Sequence, residues 1–168
     1  MLGHHLPVGA LQDEIKQRRP FPSKGAEGVV ALVRTADLVR RVLSGVVEGR
    51  GITLQQYNVL RILRGAGGEG LPTLEIGARM IEASPGVTRL LDRLEAKGLV
   101  RRERCPRDRR QVTCRITPGG LGVLAGLDRP MDRAAESVMG GLGAGRTNRL
   151  IELLDDVRAA ARTAASSH

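Results

Sequence analysis

Aromatic side chains are almost missing from this 168-residue chain, which has one Phe, one Tyr and no Trp. Proteins that bind single-stranded nucleic acids stack the bases on aromatic rings, so this function is not expected here. The core must instead be built from aliphatic side chains, and the apolar content of 41% is typical of a soluble globular domain. The length suits one hydrophobic core.

Histidine and cysteine are also scarce. The three histidines, His4, His5 and His168, all lie near the ends of the chain. No Ser-His or Cys-His catalytic set and no metal site with the usual ligand spacing is therefore expected in the body of the protein. The acidic residues are scattered, without a pair that stands out as a general acid–base couple. The sequence predicts a protein that is not an enzyme and that uses neither a metal nor a cofactor.

Long apolar runs are absent. No stretch of about 18 apolar residues occurs, and residues 1–20 lack the continuous apolar segment of a signal peptide. We therefore expect a cytoplasmic protein without a membrane partner.

Positive charge is concentrated in one short segment. The chain carries a formal net charge of +9, and residues 97–115 hold eight basic residues against the two acids Glu103 and Asp108. Clustered arginine attracts phosphate and releases counterions on binding, so salt-sensitive binding to nucleic acid is predicted. The alternative is a solvated hairpin whose charge prevents aggregation between sheet edges.

A short helix is predicted between Ser84 and Gly98. Ser84 is a suitable N-cap, Pro85 suits the first helical position, and Gly98 suits the C-cap. Apolar residues follow the i, i+3, i+4, i+7 pattern at Val87, Leu90, Leu91 and Leu94. At about 100° per residue, the outward side chains are Pro85, Arg89, Asp92, Arg93 and Ala96, with Thr88 on the flank.

A basic hairpin is predicted to follow this helix. A turn around Arg107-Asp108-Arg109 separates two strands, the second rich in β-branched residues. A turn centred on Asp108-Arg109 places Cys105 opposite Val112. A helix with a polar outer face followed by an arginine-rich hairpin is the layout of a winged helix that binds duplex DNA.

The segment Ile52–Thr117 resembles the winged helix-turn-helix of the MarR (multiple antibiotic resistance regulator) family of bacterial transcription regulators. The resemblance is carried by three stretches, QYNVL from Gln56, VTRLLDRLEAKGLVRR from Val87, and the wing DRRQVTCRITPGG from Asp108. The wing fits the family pattern D-x-R … L-T-x-x-G at Asp108, Arg110, Ile116, Thr117 and Gly120, with isoleucine in place of leucine. With the flanking segments, it covers roughly residues 25–162.

The predicted fold class is mainly α with a small β-hairpin wing, a winged helix-turn-helix joined to a helical dimerisation region. We expect an N-terminal arm at 1–25, the dimerisation region at 26–50 and 119–163, and the DNA-binding domain at 51–118. Helices are predicted at Glu27–Glu48, Leu54–Arg64, Leu74–Met80, Gly120–Met139 and Arg146–Arg162, with a strand at Leu71–Thr73.

The glycine-rich segment Gly65–Gly70 matches the G-x-G-x-x-G pattern letter for letter. It follows a predicted helix and precedes a strand, which is the reverse of the dinucleotide-binding context. We interpret it as a flexible connector.

The resemblance implies roles for the residues of the helix and wing. Arg89 is expected to make a bidentate contact with guanine, while Ser84 and Thr88 contact a phosphate or a thymine methyl group. The wing-tip residues Arg107, Arg109 and Arg110 are expected in the minor groove or along the backbone, with Asp108 orienting a neighbouring arginine. The expected DNA-binding set is Ser84, Pro85, Thr88, Arg89, Arg93, Arg107, Asp108, Arg109 and Arg110. The alternative for Arg89 is an ion pair within the helix, with Asp92 or Glu95. Arg101 and Arg102 are expected to be phosphate contacts or strand charges.

Two protomers are expected to associate. The helix Glu27–Glu48 carries two overlapping apolar stripes, and the last helix carries another at Leu150, Leu153, Leu154 and Val157. In the family the terminal helices interlock two protomers, although a stripe packed within one protomer is the alternative. A homodimer of this kind would bind a palindromic operator on the nucleoid. Members of the family usually act as repressors, and a small-molecule ligand is expected to release the protein from DNA.

Two other functions stay open. One is a winged-helix protein used for assembly or for architectural nucleic-acid binding without base preference. The other is a redox-sensing regulator in which Cys105 and Cys114 act as a thiol switch, with nearby arginines lowering a thiol pKa. The structural interpretation of these cysteines is that they are small, apolar-like residues of a partly buried hairpin.

Overall fold

The computed structural model describes residues 10–82, 86–104 and 112–167. The elements are α1 (Ala10–Glu14), α2 (Lys24–Glu48), α3 (Leu54–Gly65), a 3-10 turn (Gly67–Glu69), β1 (Leu71–Pro72), α4 (Thr73–Arg79), α5 (Val87–Ala96), β2 (Val100–Arg104), β3 (Val112–Ile116), α6 (Pro118–Met139) and α7 (Gly143–Ser166). The predicted fold class is confirmed, because helices dominate and a small antiparallel sheet forms the wing. Across the described ranges, no helix combines the length and apolarity needed to cross a bilayer.

The chain divides into two compact units, one formed by Leu32–Ala134 and the other by the remainder of the chain. The buried apolar side chains of the described residues all belong to the first of these units, between Val47 and Leu127. They are aliphatic except for Cys114 and Tyr57, as the scarcity of aromatic residues predicts. Helix α3 begins with a capping box in which Thr53 and Gln56 bind each other's backbone N–H groups.

The sheet is antiparallel, with β3 between β1 and β2. Arg102 lies opposite Cys114, and Arg104 lies opposite Val112. The predicted pairing of Cys105 with Val112 is therefore wrong by one residue. A shift of one residue turns every side chain to the other face of a strand. The observed register keeps Val100 and Cys114 together on the buried face.

The connector after α3 is more ordered than the sequence indicated. Residues Gly67–Glu69 form a 3-10 turn, and Gly70 follows with φ of 68°. A Cβ atom at Gly70 would lie 2.4 Å from the carbonyl oxygen of Cys114. Glycine is thus required here both for its backbone conformation and for the close approach of β3.

The wing joins α6 at a tight polar junction. Gly98 follows the end of α5 and has φ of 68°, the left-handed conformation that is typical of a glycine at the end of a helix. The Thr117 hydroxyl donates to the Gly98 carbonyl at 2.7 Å and accepts from the Gly120 N–H at 3.1 Å. The Thr117 N–H donates to the Leu99 carbonyl at 3.1 Å. These bonds explain why threonine and glycine stand at these two positions of the wing pattern.

Replacing Gly120 by Ala should destabilise the protein, because the added Cβ would lie 2.4 Å from the Leu99 carbonyl oxygen. We expect the free energy of unfolding to fall by about 1–3 kcal/mol, as for other overpacked sites. The matched control is Gly122→Ala in the same helix, where no atom lies within 4 Å of the new Cβ. That change should stabilise by up to about 1 kcal/mol. Urea denaturation measures both, and equal effects would contradict the assigned close contact.

Candidate nucleic-acid interface

Helix α5 has one buried and one exposed face. Its buried side chains are Val87, Leu90, Leu91 and Leu94, as predicted. The exposed side chains are Thr88, Arg89, Asp92, Arg93 and Ala96. The outward positions predicted for this helix are therefore confirmed wherever the structure describes them.

The start of α5 differs from the prediction. The helix begins at Val87, and Gly86 is the N-cap with φ of −107° and ψ of 23°. Ser84 is therefore not the N-cap, and Pro85 is not the first helical residue. Glycine has the weakest helix propensity after proline, which explains why the helix begins only after Gly86. Ser84 and Pro85 themselves lie outside the described residues.

Two arginines of the exposed face have no acidic partner among the described residues. Among the residues that the structure describes, no carboxylate lies within ion-pair distance of Arg89 or Arg93. The alternative in which Arg89 pairs with Asp92 or Glu95 is not realised. Both guanidinium groups are available to an external anion or to base acceptors, as bidentate recognition requires.

The acids of α5 bind Arg102 of β2 instead. The Arg102 guanidinium lies 2.6 Å from Asp92 and 2.7 Å from Glu95. The backbone N–H of Arg102 also donates to Glu95 Oε1 at 2.9 Å, and its Nε donates to Oε2 at 2.8 Å. These hydrogen bonds lower the pKa of the Glu95 carboxyl. Arg102 thus joins the wing to α5 and holds the acids that would otherwise compete for Arg89 and Arg93.

The sequence pattern did not predict this role of Arg102. It predicted a phosphate contact or an unspecific strand charge, and the structure shows an intramolecular tie. A signal was present in the sequence, since Asp92 and Glu95 are three residues apart on a helix that turns at Gly98 directly into β2. Residues three apart share a helix face, so one guanidinium on the following strand is able to reach both carboxylates.

Other wing charges are paired as well. Glu103 binds two arginines, with Arg101 Nε at 3.1 Å and Arg115 Nε at 3.3 Å. The Lys97 ammonium donates to the Gly51 carbonyl. Among the described arginine side chains of α5, β2 and β3, Arg89 and Arg93 are those without an acidic partner, and the charge of Lys97 is likewise not offset by an acid. The remaining predicted residues, Arg107, Asp108, Arg109 and Arg110, lie outside the described residues.

Cys114 is fully buried on β3, with its Sγ atom 3.8 Å from the Thr73 hydroxyl. Burial raises the pKa of the Cys114 thiol and outweighs the opposite effect of Arg102. The expectation that nearby arginines give a thiol a lowered pKa is therefore wrong for Cys114, whose pKa is raised overall. A buried thiol with a raised pKa is a poor nucleophile. Cys105 lies outside the described residues.

Arg102→Leu should weaken the link between wing and α5. Because the folded-state pKa of Glu95 is lowered, its contribution to stability is present above the unfolded pKa near 4.5 and is lost as the pH falls through the folded value. We expect the wild type to be more stable than the variant by about 1 kcal/mol at neutral pH, with a smaller difference at about pH 3.5.

Urea denaturation at the two pH values measures this difference. The control is Arg101→Leu, on the neighbouring strand position, whose partner Glu103 also contacts Arg115. A loss of stability in Arg102→Leu that is equal at both pH values would rule out the Glu95 carboxylate as its cause.

Known proteins are similar to this chain over the segment that contains α3, α5 and the first wing strand. Residues 52–112 match the sequence profile of the MarR family. The HTH-type transcriptional regulator TtmR of Methylorubrum extorquens is 38% identical over 98 residues, which are 58% of this chain. The chain spans about half of that relative, 49% of its length.

Two solved structures extend the match to most of the chain. A MarR transcription factor from Planctomyces limnophilus is 37% identical, with a TM-score of 0.63, covering 81% of this chain and 98% of that protein. A mutant MarR from Escherichia coli, in complex with operator DNA, is 26% identical, with a TM-score of 0.70, covering 76% of this chain and 90% of that one. The winged-helix geometry, the profile match and these alignments agree: the chain belongs to the MarR family.

Proposed function

We propose that this protein is a transcriptional repressor that binds a palindromic operator in duplex DNA as a homodimer and is released by a small-molecule ligand. The observation that carries the proposal is the exposed face of α5, where Arg89 and Arg93 have no acidic partner among the described residues. The likeness to an E. coli MarR solved with operator DNA supports it.

The proposed contacts divide between bases and phosphates. An α-helix fits the major groove, where arginine recognises guanine through two hydrogen bonds. Arg89 lies in the first turn of α5, so we assign it to a base edge, with Thr88 beside it and Arg93 one turn later. Ser84 and Pro85, just before the helix, are assigned to the backbone. Backbone contacts set the position of a protein on DNA, and base contacts set its specificity.

The wing is proposed to hold the adjacent minor groove or backbone. Arg107, Arg109 and Arg110 supply the positive charge for this contact, and Asp108 orients one of them. These assignments rest on the sequence and on the family pattern. Binding through arginine and phosphate should weaken steeply as the salt concentration rises.

Exposed apolar residues support a homodimer built from residues 26–50 and 119–163. Helix α7 has no buried residue, and Ile151, Leu153 and Val157 are about half exposed, at 52%, 46% and 47%. In α2, Val29 and Val33 are 62% and 64% exposed. Exposed apolar side chains grouped on the terminal helices support an interaction site there. A two-fold dimer would present two α5 helices to half-sites about one helical turn apart.

The releasing ligand is proposed from the family alone, and no residue is assigned to it. Such a ligand must bind the DNA-free conformation more tightly than the DNA-bound one, because equal affinities shift no equilibrium. A regulator of this kind acts in the cytoplasm, at the nucleoid.

Arg89→Ala should relax base preference at one position of each half-site, because the bidentate contact with guanine is lost. We expect affinity for the preferred duplex to fall by about 1–3 kcal/mol, and affinity for duplexes altered at that position to change little. Fluorescence anisotropy with the preferred duplex and its single-base variants measures both. The control Arg129→Ala removes the same charge from an exposed site on α6. An unchanged preference at every position would reject Arg89 as a base-reading residue.

The double variant Leu153→Glu, Val157→Glu should separate the protomers, because it places two carboxylates within the proposed apolar interface. Sedimentation velocity should show a dimer for the wild type and a monomer for the variant. Ala159→Glu is the control, since it lies about 180° around the same helix from the apolar stripe. A variant with the sedimentation coefficient of the wild type would show that this stripe does not hold the dimer.

A further inference from the structure

Ile81 and Glu82, which follow α4 after Met80, are held by side chains from α2 and α3. The Glu82 carboxylate accepts a hydrogen bond from Arg40 Nε of α2 at 2.8 Å and one from Gln55 Nε2 of α3 at 3.4 Å. One residue earlier, the Ile81 N–H donates to Asn58 Oδ1 of α3 at 3.0 Å. Helices α2 and α3, which precede α4 in the chain, thus fix this short segment.

Met80 packs against the core, whereas the contacts that hold Ile81 and Glu82 are polar. Helix α4 ends at Arg79, and Met80 has extended backbone angles, so no helical hydrogen bond reaches Ile81. The Ile81 side chain is 85% exposed and contributes little to the core. The position of these residues therefore depends on Arg40, Gln55 and Asn58. Asn58 belongs to the QYNVL stretch that carries part of the family resemblance.

Ile81 and Glu82 lie only a few residues before the start of α5. Three residues separate Glu82 from Gly86, whose carbonyl accepts the first backbone hydrogen bond of α5, from the Leu90 N–H at 3.0 Å. Four residue steps span at most about 14 Å. An anchor at Glu82 thus limits how far the start of α5, and with it Arg89, is able to move.

We propose that Glu82 is a positioning residue for DNA recognition and that its ion pair with Arg40 sets the place of the α5 start relative to α2. The inference rests on the proposed function, because it concerns how the base-reading helix is aligned. Arg40 and Glu82 are 49% and 42% exposed, and surface pairs of this kind add little to global stability. The effect of the pair should therefore appear in the alignment of α5 more than in the unfolding of the protein.

Charge reversal separates alignment from simple attraction to DNA. Arg40→Glu lowers the formal net charge of +9 by two, Glu82→Arg raises it by two, and the double variant restores it. We expect each single variant to lower the ratio of specific to non-specific DNA affinity by about two- to thirtyfold. The double variant should return this ratio to within about twofold of the wild type, because the ion pair is rebuilt.

Arg41→Glu is the matched control. It lies next to Arg40, makes the same charge change and shares the α2 partner Asp37 with Arg40, but of the two arginines it is Arg40 that binds Glu82. It should leave the affinity ratio unchanged. The proposal is overturned if Glu82→Arg raises specific and non-specific affinity together, if Arg41→Glu acts like Arg40→Glu, or if the double variant shows no rescue.

Amide hydrogen exchange without DNA provides a readout that does not depend on the proposed function. Exchange at the Ile81 and Leu90 amides should become faster in each single variant and return towards the wild-type rate in the double variant. Unchanged exchange in all variants would overturn the proposal. A wild type without any specific affinity would instead contradict the proposed function, while the exchange data would still test the anchor.

Discussion

Four buried side chains on one face of α5 determine where the other side chains of that helix point. Because Val87, Leu90, Leu91 and Leu94 are buried, the residues between them must face solvent. Burying these apolar groups is a strong constraint, since each fully buried leucine contributes roughly 1.5–3 kcal/mol. The exposed arginines of α5 are therefore available to DNA as a consequence of how the core is packed.

A second layer of polar contacts sets the charge and position of that helix. Arg102 forms ion pairs with both Asp92 and Glu95, which lie on the same helix as the exposed arginines. At the other end, Thr117 and Gly120 join the wing exit to the C-terminus of α5. The helix, the strand that follows it and the start of α6 thus form one connected structure, and preorganised groups of this kind lose less entropy when a partner binds.

The features that the sequence predicted well are those with a local periodic signal. The faces of α5 follow from the spacing of its leucines, and the helices were placed within a few residues because their apolar residues and caps recur at helical intervals. The features that it predicted poorly depend on contacts between distant residues. The strand register, the role of Arg102 and the pair of Arg40 with Glu82, 42 residues apart, are tertiary choices. The start of α5 was also predicted too early. The helix begins at Val87, after Gly86, because glycine has a low helix propensity.

We propose that the exposed face of α5 recognises a specific duplex sequence as part of a dimer. The most direct test is in vitro selection from random duplex DNA, with the full chain at near-physiological salt and with a reductant present. A dimer that reads bases through α5 should enrich a palindrome whose half-sites lie about 10–10.5 base pairs apart. Recovery of no motif, with binding that weakens uniformly as salt rises, would contradict it and indicate a charge-driven, architectural DNA-binding protein.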